Sequence, residues 1–169
     1  MPIEIEKKYL VELPKKWQEL NDLFDGLIDI KRITQVYLIP EGGSSARVRK
    51  TVEGFADNLK TIYHFNKKTH ISPGVNEEEE FEISEREYNE MIEFKHDDQR
   101  KLNKVRYVFD YHDQIFELDI FSGPLVGLAI LEIELKNEDD VVELPPFLNI
   151  SKEVTKEKKY SNFELASKK

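Results

Sequence analysis

Six segments of the chain alternate charged and apolar residues with a period of two, and this pattern limits the fold more than any other feature. In the opening segment IEIEKKYL, an extended strand places Glu4, Glu6 and Lys8 on one face, with Ile3 and Ile5 on the other. The charged faces of the other five segments consist of Arg47 and Arg49; Glu78, Glu80 and Glu82; Lys104 and Arg106; Glu117 and Asp119; and Glu132, Glu134 and Lys136. The pattern predicts a sheet with one apolar and one charged face.

Short strand-like segments outnumber helices along the chain. About eight of them, mostly joined by turn residues, predict an antiparallel barrel or sandwich. Two helices are predicted, one in LPKKWQELNDLFDG from Pro14 to Gly26, and one in SEREYNEMIEF, where Ser84 and Glu87 form a capping box. The tail from residue 143 is less regular, with one short helix near 161–167. No repeat or linker interrupts 1–169, so we expect a single domain.

The charged faces have two interpretations. In the first, they are exposed to water, as in any antiparallel sheet with one wet face. In the second, the sheet closes into a barrel, helices cover its apolar outer side, and the charged faces line the interior. Two observations favour the barrel: these faces contain very little Ser or Thr, and the helices need an apolar surface to pack on. A charged interior in turn implies a bound guest, because unpaired buried charge is costly.

Charge and composition restrict the partners. The formal net charge is −9, which argues against nucleic acid, because the phosphate backbone demands a basic surface. A small polyanion stays compatible if the basic residues gather in one cleft. The sequence contains no cysteine, which excludes disulfides, thiolate metal sites and a cysteine nucleophile. No apolar segment suits a signal peptide or a membrane span, so a cytoplasmic protein without a membrane partner is expected, and a homodimer is left open.

The order of these segments resembles the CYTH superfamily, the triphosphate tunnel metalloenzymes. The start of the chain, EIEKKYL, matches the ExExK signature, and six later segments follow in the family's order: QVYL, RVR, EEFEIS, KVRY, ELDIFSGPLVGLAILEIEL and EVTKEKKYSNFELA. The match runs from Met1 to about Ala166. The family has a lumen lysine preceded two residues earlier by Thr, where this chain has Asn66. Lys68 fits that lysine by parity, whereas Lys67 would serve after a one-residue shift.

The resemblance implies an eight-stranded antiparallel tunnel that binds a triphosphate together with a divalent metal, Mg²⁺ or Mn²⁺. The phosphate contacts that it implies are basic: Lys8, Arg47, Arg49, Lys68, Lys104, Arg106 and Lys158. The implied metal ligands are Glu4 and Glu6 with Glu134 or Glu132. A second ion or a carboxylate would orient the attacking water, and the candidate carboxylates are Glu80, Glu82 and Asp119.

The resemblance leaves the substrate open. The C-terminal VT…YSN segment is most similar to the short bacterial inorganic triphosphatases, which implies hydrolysis of tripolyphosphate. Other members hydrolyse thiamine triphosphate, remove the RNA 5′ γ-phosphate or cyclise ATP, and a nucleoside would need an apolar clamp that the sequence does not locate. An alternative of another class is a non-catalytic module that binds polyphosphate or a nucleotide. The intact ExExK argues against it, because acids have no role in simple anion capture.

Overall fold

The computed structural model describes residues 2–40, 42 and 44–168, and antiparallel strands dominate it. Within these residues the strands are β1 (Ile3–Glu12), β2 (Leu27–Tyr37), β3 (Ser44–Glu53), β4 (Lys60–Ser72), β5 (Val75–Ile83), β6 (Leu102–Tyr111), β7 (Gln114–Phe121), β8 (Ala129–Leu135) and β9 (Asn149–Glu153). Their bounds follow the alternating segments, since β-branched and aromatic residues favour the extended backbone.

Eight of the strands close into a barrel. The hydrogen-bonded order is β1, β5, β4, β3, β2, β6, β7, β8 and again β1, with every neighbouring pair antiparallel. The predicted closed eight-stranded antiparallel barrel is therefore confirmed. The ninth strand, β9, was not predicted. It pairs with the second half of β1, on the same edge that β5 occupies in the first half.

The helices are short. They are α1 (Asn21–Asp25), α2 (Glu85–Ile92) and α3 (Asn162–Leu165), with single 3₁₀ turns at Trp17–Leu20, Gly123–Leu125 and Lys158–Tyr160. The predicted helix start at Pro14 was wrong, because the backbone is still extended at Lys16. The capping box before α2 is confirmed: the Ser84 hydroxyl accepts from the Glu87 N–H, and the Glu87 carboxylate accepts from the Ser84 N–H. None of the described helices is long and apolar enough to cross a membrane.

Apolar side chains cover the outside of the barrel. Leu20 and Leu23 of the first helical segment pack on the buried Phe109 and Phe116 of β6 and β7. On the opposite side, Tyr88 of α2 packs on outward-facing residues of β3 and β5. Because side chains alternate between the faces of each strand, this outer apolar layer directs the charged faces into the lumen.

One end of the lumen is filled differently. Tyr37, Leu102, Phe121 and Ile130 continue the inward faces of β2, β6, β7 and β8, and they form a buried apolar cluster with Ala166. The chain after β9 thus returns across the barrel and covers the side of this end that these four strands form. The remaining lumen is lined by charge.

Candidate active site

Strand β1 carries the first group of charged side chains. The Lys8 Nζ lies 3.6 Å from Glu6 Oε1 and 3.6 Å from Glu132 Oε1. Burial and the neighbouring Glu132 raise the pKa of Glu6. Burial alone would lower the pKa of Lys8, but Glu132 and Glu6 outweigh it and raise that pKa. The lysine is therefore a fixed cation between two crowded carboxylates.

Asp119 anchors two of the predicted phosphate contacts. Its side chain is 0% exposed; Oδ1 and Oδ2 accept from Arg106 Nε and Nη2 at 2.7 and 2.9 Å. The Lys104 Nζ lies 2.7 Å from Oδ2. Burial alone would raise the pKa of Asp119, but the two cations hold it below its usual range. Because cations occupy both oxygens, this geometry does not support the predicted role of Asp119 in orienting water.

Arg47 and Arg49 lie side by side on the inward face of β3. Arg47 is buried, and its Nη1 donates to the Tyr37 hydroxyl at 3.4 Å. Burial, followed by the charges of Arg47 and Arg106, lowers the pKa of Arg49 to about 10. Within the described residues the buried Nε of Arg49 has no hydrogen-bond partner. An incompletely paired guanidinium in this position is suited to an anionic ligand.

The structure brings Lys68, rather than Lys67, into the lumen. The Lys68 Nζ contacts Glu4 Oε1 at 2.8 Å and lies 3.7 Å from Glu78 Oε2. Burial alone would raise the pKa of Glu4, but the hydrogen bond with Glu78 and the Lys68 charge lower it to about 2. Burial and the same hydrogen bond raise the pKa of Glu78 to about 8. Of these two carboxyl groups, Glu78 therefore takes up a proton more readily than Glu4.

Side chains of both signs line the lumen, and its exposed carboxylates lie toward one end. Paired residues of β4 and β5 step from Lys68–Glu78 through Asn66–Glu80 to His64–Glu82. We call the end at which β5 and β8 finish the acidic end; it carries Glu80, Glu82, Glu117 and Glu134. We call the end at which β2, β4 and β7 finish the basic end; it carries Lys8, Arg47, Lys68 and Lys104.

The carboxylates of the acidic end are the more accessible ones. Glu80, Glu82 and Glu134 are exposed although they lie on inward faces. Burial, followed by Glu4 and Glu117, raises the pKa of Glu134. Glu80 accepts from the Asn66 amide at 3.0 Å, so its carboxylate is oriented.

A cavity of about 590 Å³ opens at the basic end, between the strands and the C-terminal segment. Its lining includes Glu6, Lys8, Arg47 and Lys68. Lys158 also lines it, but the Lys158 side chain is 87% exposed and lies 3.9 Å from Glu164. The structure therefore places Lys158 at the rim, outside the lumen that holds the other predicted phosphate contacts.

The structure adds four lumen residues to the predicted site: Gln35, Asn66, Glu78 and Glu117. The period of two already placed the last three on charged or candidate faces, so parity was the signal that could have found them. Gln35 gave no such signal, because it is neutral and its strand is otherwise apolar or mixed on that face.

The carboxylates fit a divalent cation only in part. Among the described residues, no three acidic or histidine side chains converge into a ready-made cation site. However, Glu6 and Glu134 each lie among other carboxylates that raise their pKa, and a cation would relieve this repulsion. Mg²⁺ is commonly held by one or two carboxylates together with phosphate oxygens. The carboxylates of Glu6 and Glu134 therefore suit a divalent cation that is also coordinated by a bound phosphate.

Two named proteins and one crystal structure are similar to this chain. An inorganic triphosphatase of Acetivibrio thermocellus is 31% identical over 168 residues, which cover 96% of this chain and 92% of that protein. An inorganic triphosphatase of Nitrosomonas europaea is 40% identical over 68 residues, 40% of this chain and 45% of that protein. The crystal structure of the inorganic triphosphatase NE1496 has a TM-score of 0.59 at 28% identity, and the match covers 98% of this chain and 95% of that one.

The family assignment rests on more than the short ExExK signature. The CYTH domain profile matches residues 2–161. The Acetivibrio thermocellus protein is similar along nearly its full length, and the closed barrel with a charged lumen agrees with both findings. The predicted resemblance is thereby confirmed, and the chain belongs to the CYTH domain family.

Proposed function

We propose that the chain is a divalent-metal-dependent triphosphatase that releases the terminal phosphate of inorganic tripolyphosphate. The observation that carries this proposal is the gathering of six basic side chains around one lumen of an acidic protein: Lys8, Arg47, Arg49, Lys68, Lys104 and Arg106. A polyphosphate supplies an acceptor for the unpartnered Nε of Arg49 and further acceptors for the other donors, and it has no organic group that would need a clamp. Two relatives that carry the name inorganic triphosphatase support this choice of substrate.

The arginines would bind the phosphate oxygens most directly. Arg47 and Arg49 present adjacent planar forks, a geometry that suits bidentate contacts with phosphate. Lys8 and Lys68 each lie within 4 Å of a carboxylate, at 3.6 and 2.8 Å. Each lysine would therefore sit between an acid and the substrate, contributing a point charge to both.

Glu4 and Glu6 of β1, with Glu132 or Glu134 of β8, would hold the metal, Mg²⁺ or Mn²⁺. These side chains lie on neighbouring strands, with Glu6 directly opposite Glu134 in the register. The ion would neutralise charge that develops on the transferring phosphoryl group. Lys8 stays charged between Glu6 and Glu132, and its charge favours the ionised form of both acids.

A carboxylate of the acidic end would orient the attacking water. Glu80 suits this role better than Asp119, because Glu80 is accessible and the Asn66 amide fixes one of its oxygens. Glu82 lies one pair further toward the end of β5 and is the second candidate. No nucleophilic side chain is needed, since phosphoryl transfer depends mainly on positioning and charge stabilisation.

The test is phosphate release from tripolyphosphate, ATP and thiamine triphosphate, each with Mg²⁺, Mn²⁺ or Ca²⁺. We expect the highest kcat/KM for tripolyphosphate and no turnover after chelation of the metal. Glu6→Gln keeps the shape but removes the charge, and we expect it to lower turnover about a hundredfold or more while the fold persists. Glu19→Gln makes the same charge change at an exposed position and serves as the control.

Two outcomes would contradict the proposal. Full metal-dependent turnover in Glu6→Gln would remove β1 from the metal site. Tight binding of tripolyphosphate by the wild-type chain without any phosphate release would instead indicate a binding module.

A further inference from the structure

Gln35 is a neutral side chain of the charged lumen, between Arg49 of β3 and Leu102 of β6. It lies on β2 and is 0% exposed. Its register partner on β3 is Arg49, and the next inward pair along the two strands is Tyr37 with Arg47. A fully buried amide in this position must satisfy its hydrogen bonds within the lumen.

The two arginines determine how the amide is oriented. A guanidinium carries only donors, so the group facing it must be an acceptor. With Oε1 directed at the arginines, it accepts from Arg47 Nη1 at 2.7 Å, from Arg47 Nε at 3.3 Å and from Arg49 Nη2 at 3.1 Å. One neutral oxygen therefore bridges two cations.

We propose that Gln35 is a positioning residue that holds Arg47 and Arg49 side by side without neutralising them, so that their charge remains available to the triphosphate. The inference rests on the proposed function, because it assigns these two arginines to phosphate binding. It concerns the orientation of the arginines, and Gln35 itself need not touch the substrate.

The other side of the lumen shows what a charged partner does instead. Asp119 binds both Arg106 and Lys104, and its carboxylate offsets much of their charge. A carboxylate in the place of Gln35 would compete with phosphate for the same donors. The amide supplies the hydrogen bonds that order the guanidinium groups and leaves their charge uncompensated.

Two substitutions separate positioning from simple packing. Gln35→Glu keeps the size of the side chain but adds the competing charge, so we expect the apo protein to gain thermal stability while it loses affinity for tripolyphosphate. Gln35→Met fills the same space without an acceptor, so we expect losses of both stability and affinity. Gln35→Met decides between positioning and packing, because a residue that only packs would keep its affinity for tripolyphosphate when its volume is preserved. Gln35→Glu reports the effect of the added charge.

The experiment is calorimetric binding of tripolyphosphate to the full chain in the presence of a chelator, together with thermal unfolding of the same samples. We expect the Kd to rise about tenfold or more in each variant, because a buried hydrogen bond to a charged group is lost or replaced. Gln18→Glu, an exposed glutamine with the same change in charge, is the matched control and should bind like the wild-type chain. Magnesium-dependent turnover is measured in parallel for the wild-type chain.

Each outcome decides the inference. A wild-type Kd in Gln35→Met would overturn it, and so would a wild-type Kd in Gln35→Glu. Wild-type binding without turnover would remove the proposed hydrolysis and leave the positioning role standing. A wild-type chain that binds no tripolyphosphate would overturn both.

Discussion

The hydroxyl oxygen of Thr155 accepts a hydrogen bond of 3.0 Å from the backbone N–H of Lys8. The Lys8 carbonyl in turn accepts from the Val154 N–H at 2.8 Å. On this edge of β1, the pairing with β5 ends at Ile5 and the pairing with β9 begins at Tyr9. A side chain from the C-terminal segment thus replaces a strand partner just where the proposed site lies.

Substitution of Thr155 should therefore alter the site from outside the lumen. Thr155→Val keeps the shape but leaves the Lys8 N–H without its acceptor, and we expect a stability loss of about 1 kcal/mol together with a lower kcat/KM for tripolyphosphate. Thr155→Ser retains the hydroxyl and should behave like the wild-type chain. Denaturant unfolding and steady-state kinetics measure the two effects. If the valine and serine variants have equal kcat/KM, the hydrogen bond does not position Lys8.

The Gly74 carbonyl closes the other half of the same gap, accepting from the Glu6 N–H at 2.9 Å. In Gly74→Ala the new Cβ would lie 2.7 Å from the Glu6 carbonyl oxygen and 2.7 Å from Thr155 Cγ2. We expect a lower unfolding temperature and lower turnover, because β1 must shift to make room. Gly123→Ala is the matched control, since Gly123 has a similar positive φ of 66° but no atom within 4 Å of its Cβ position. Equal effects in the two variants would mean that backbone strain alone is responsible.

Much of the barrel and of its lumen was predictable because the side-chain period of a strand is two. That period placed Glu6 and Arg106 on charged faces and gave Lys68 the parity of Asn66, but it left Lys67 open after a one-residue shift. The structure directs Lys68 into the lumen. Register then follows, because a one-residue slip would move every charge to the apolar outer layer.

Pairings across the lumen could not be predicted in this way. Parity places Asp119 inside, but only the register of β6 with β7 shows that it faces Arg106 and that both of its oxygens contact cations. Gln35 lacks charge and so carried no signal at all. Strand β9 was missed because its pairing with β1 depends on where the C-terminal segment returns, which no local pattern encodes.

We expect the affinity for tripolyphosphate to depend on pH through the protonation of Lys104. Burial, opposed by Asp119 and reinforced by Arg106, lowers the pKa of Lys104 from 10.5 to about 7. Between pH 7 and 10.5, Lys104 is protonated in the unfolded chain but largely neutral in the folded chain. The contribution of Lys104 to the free energy of unfolding therefore rises as the pH increases through this range. A bound polyanion favours the charged lysine, and we expect proton uptake on binding at about pH 8.

Calorimetry in two buffers of different ionisation enthalpy measures this uptake. Lys104→Met keeps an extended side chain without the titrating group, and it should remove the uptake that Lys104 contributes. The same proton uptake in Lys104→Met and in the wild-type chain would show that the proton is bound elsewhere.

The exposed carboxylates of the acidic end predict that tripolyphosphate enters at the basic end. A polyanion is attracted toward Lys8 and Lys68 and repelled by the exposed carboxylates at the other end, where Lys31 is already paired with Glu53 at 3.9 Å. Because the chain has no cysteine, a single introduced thiol can carry a bulky maleimide at a chosen end. His70→Cys places the thiol on the exposed rim of the basic cavity, and Glu82→Cys places it at the acidic end.

Stopped-flow association of tripolyphosphate without metal, before and after labelling, separates the two routes, with each unlabelled variant as its own control. Labelling of His70→Cys should slow association by about tenfold or more, because it obstructs the mouth toward which the lumen charges steer the anion. Labelling of Glu82→Cys should leave the association rate within about twofold, since encounters from the acidic end are already suppressed by repulsion. Equal slowing by the two labels would mean that tripolyphosphate enters through both ends of the lumen.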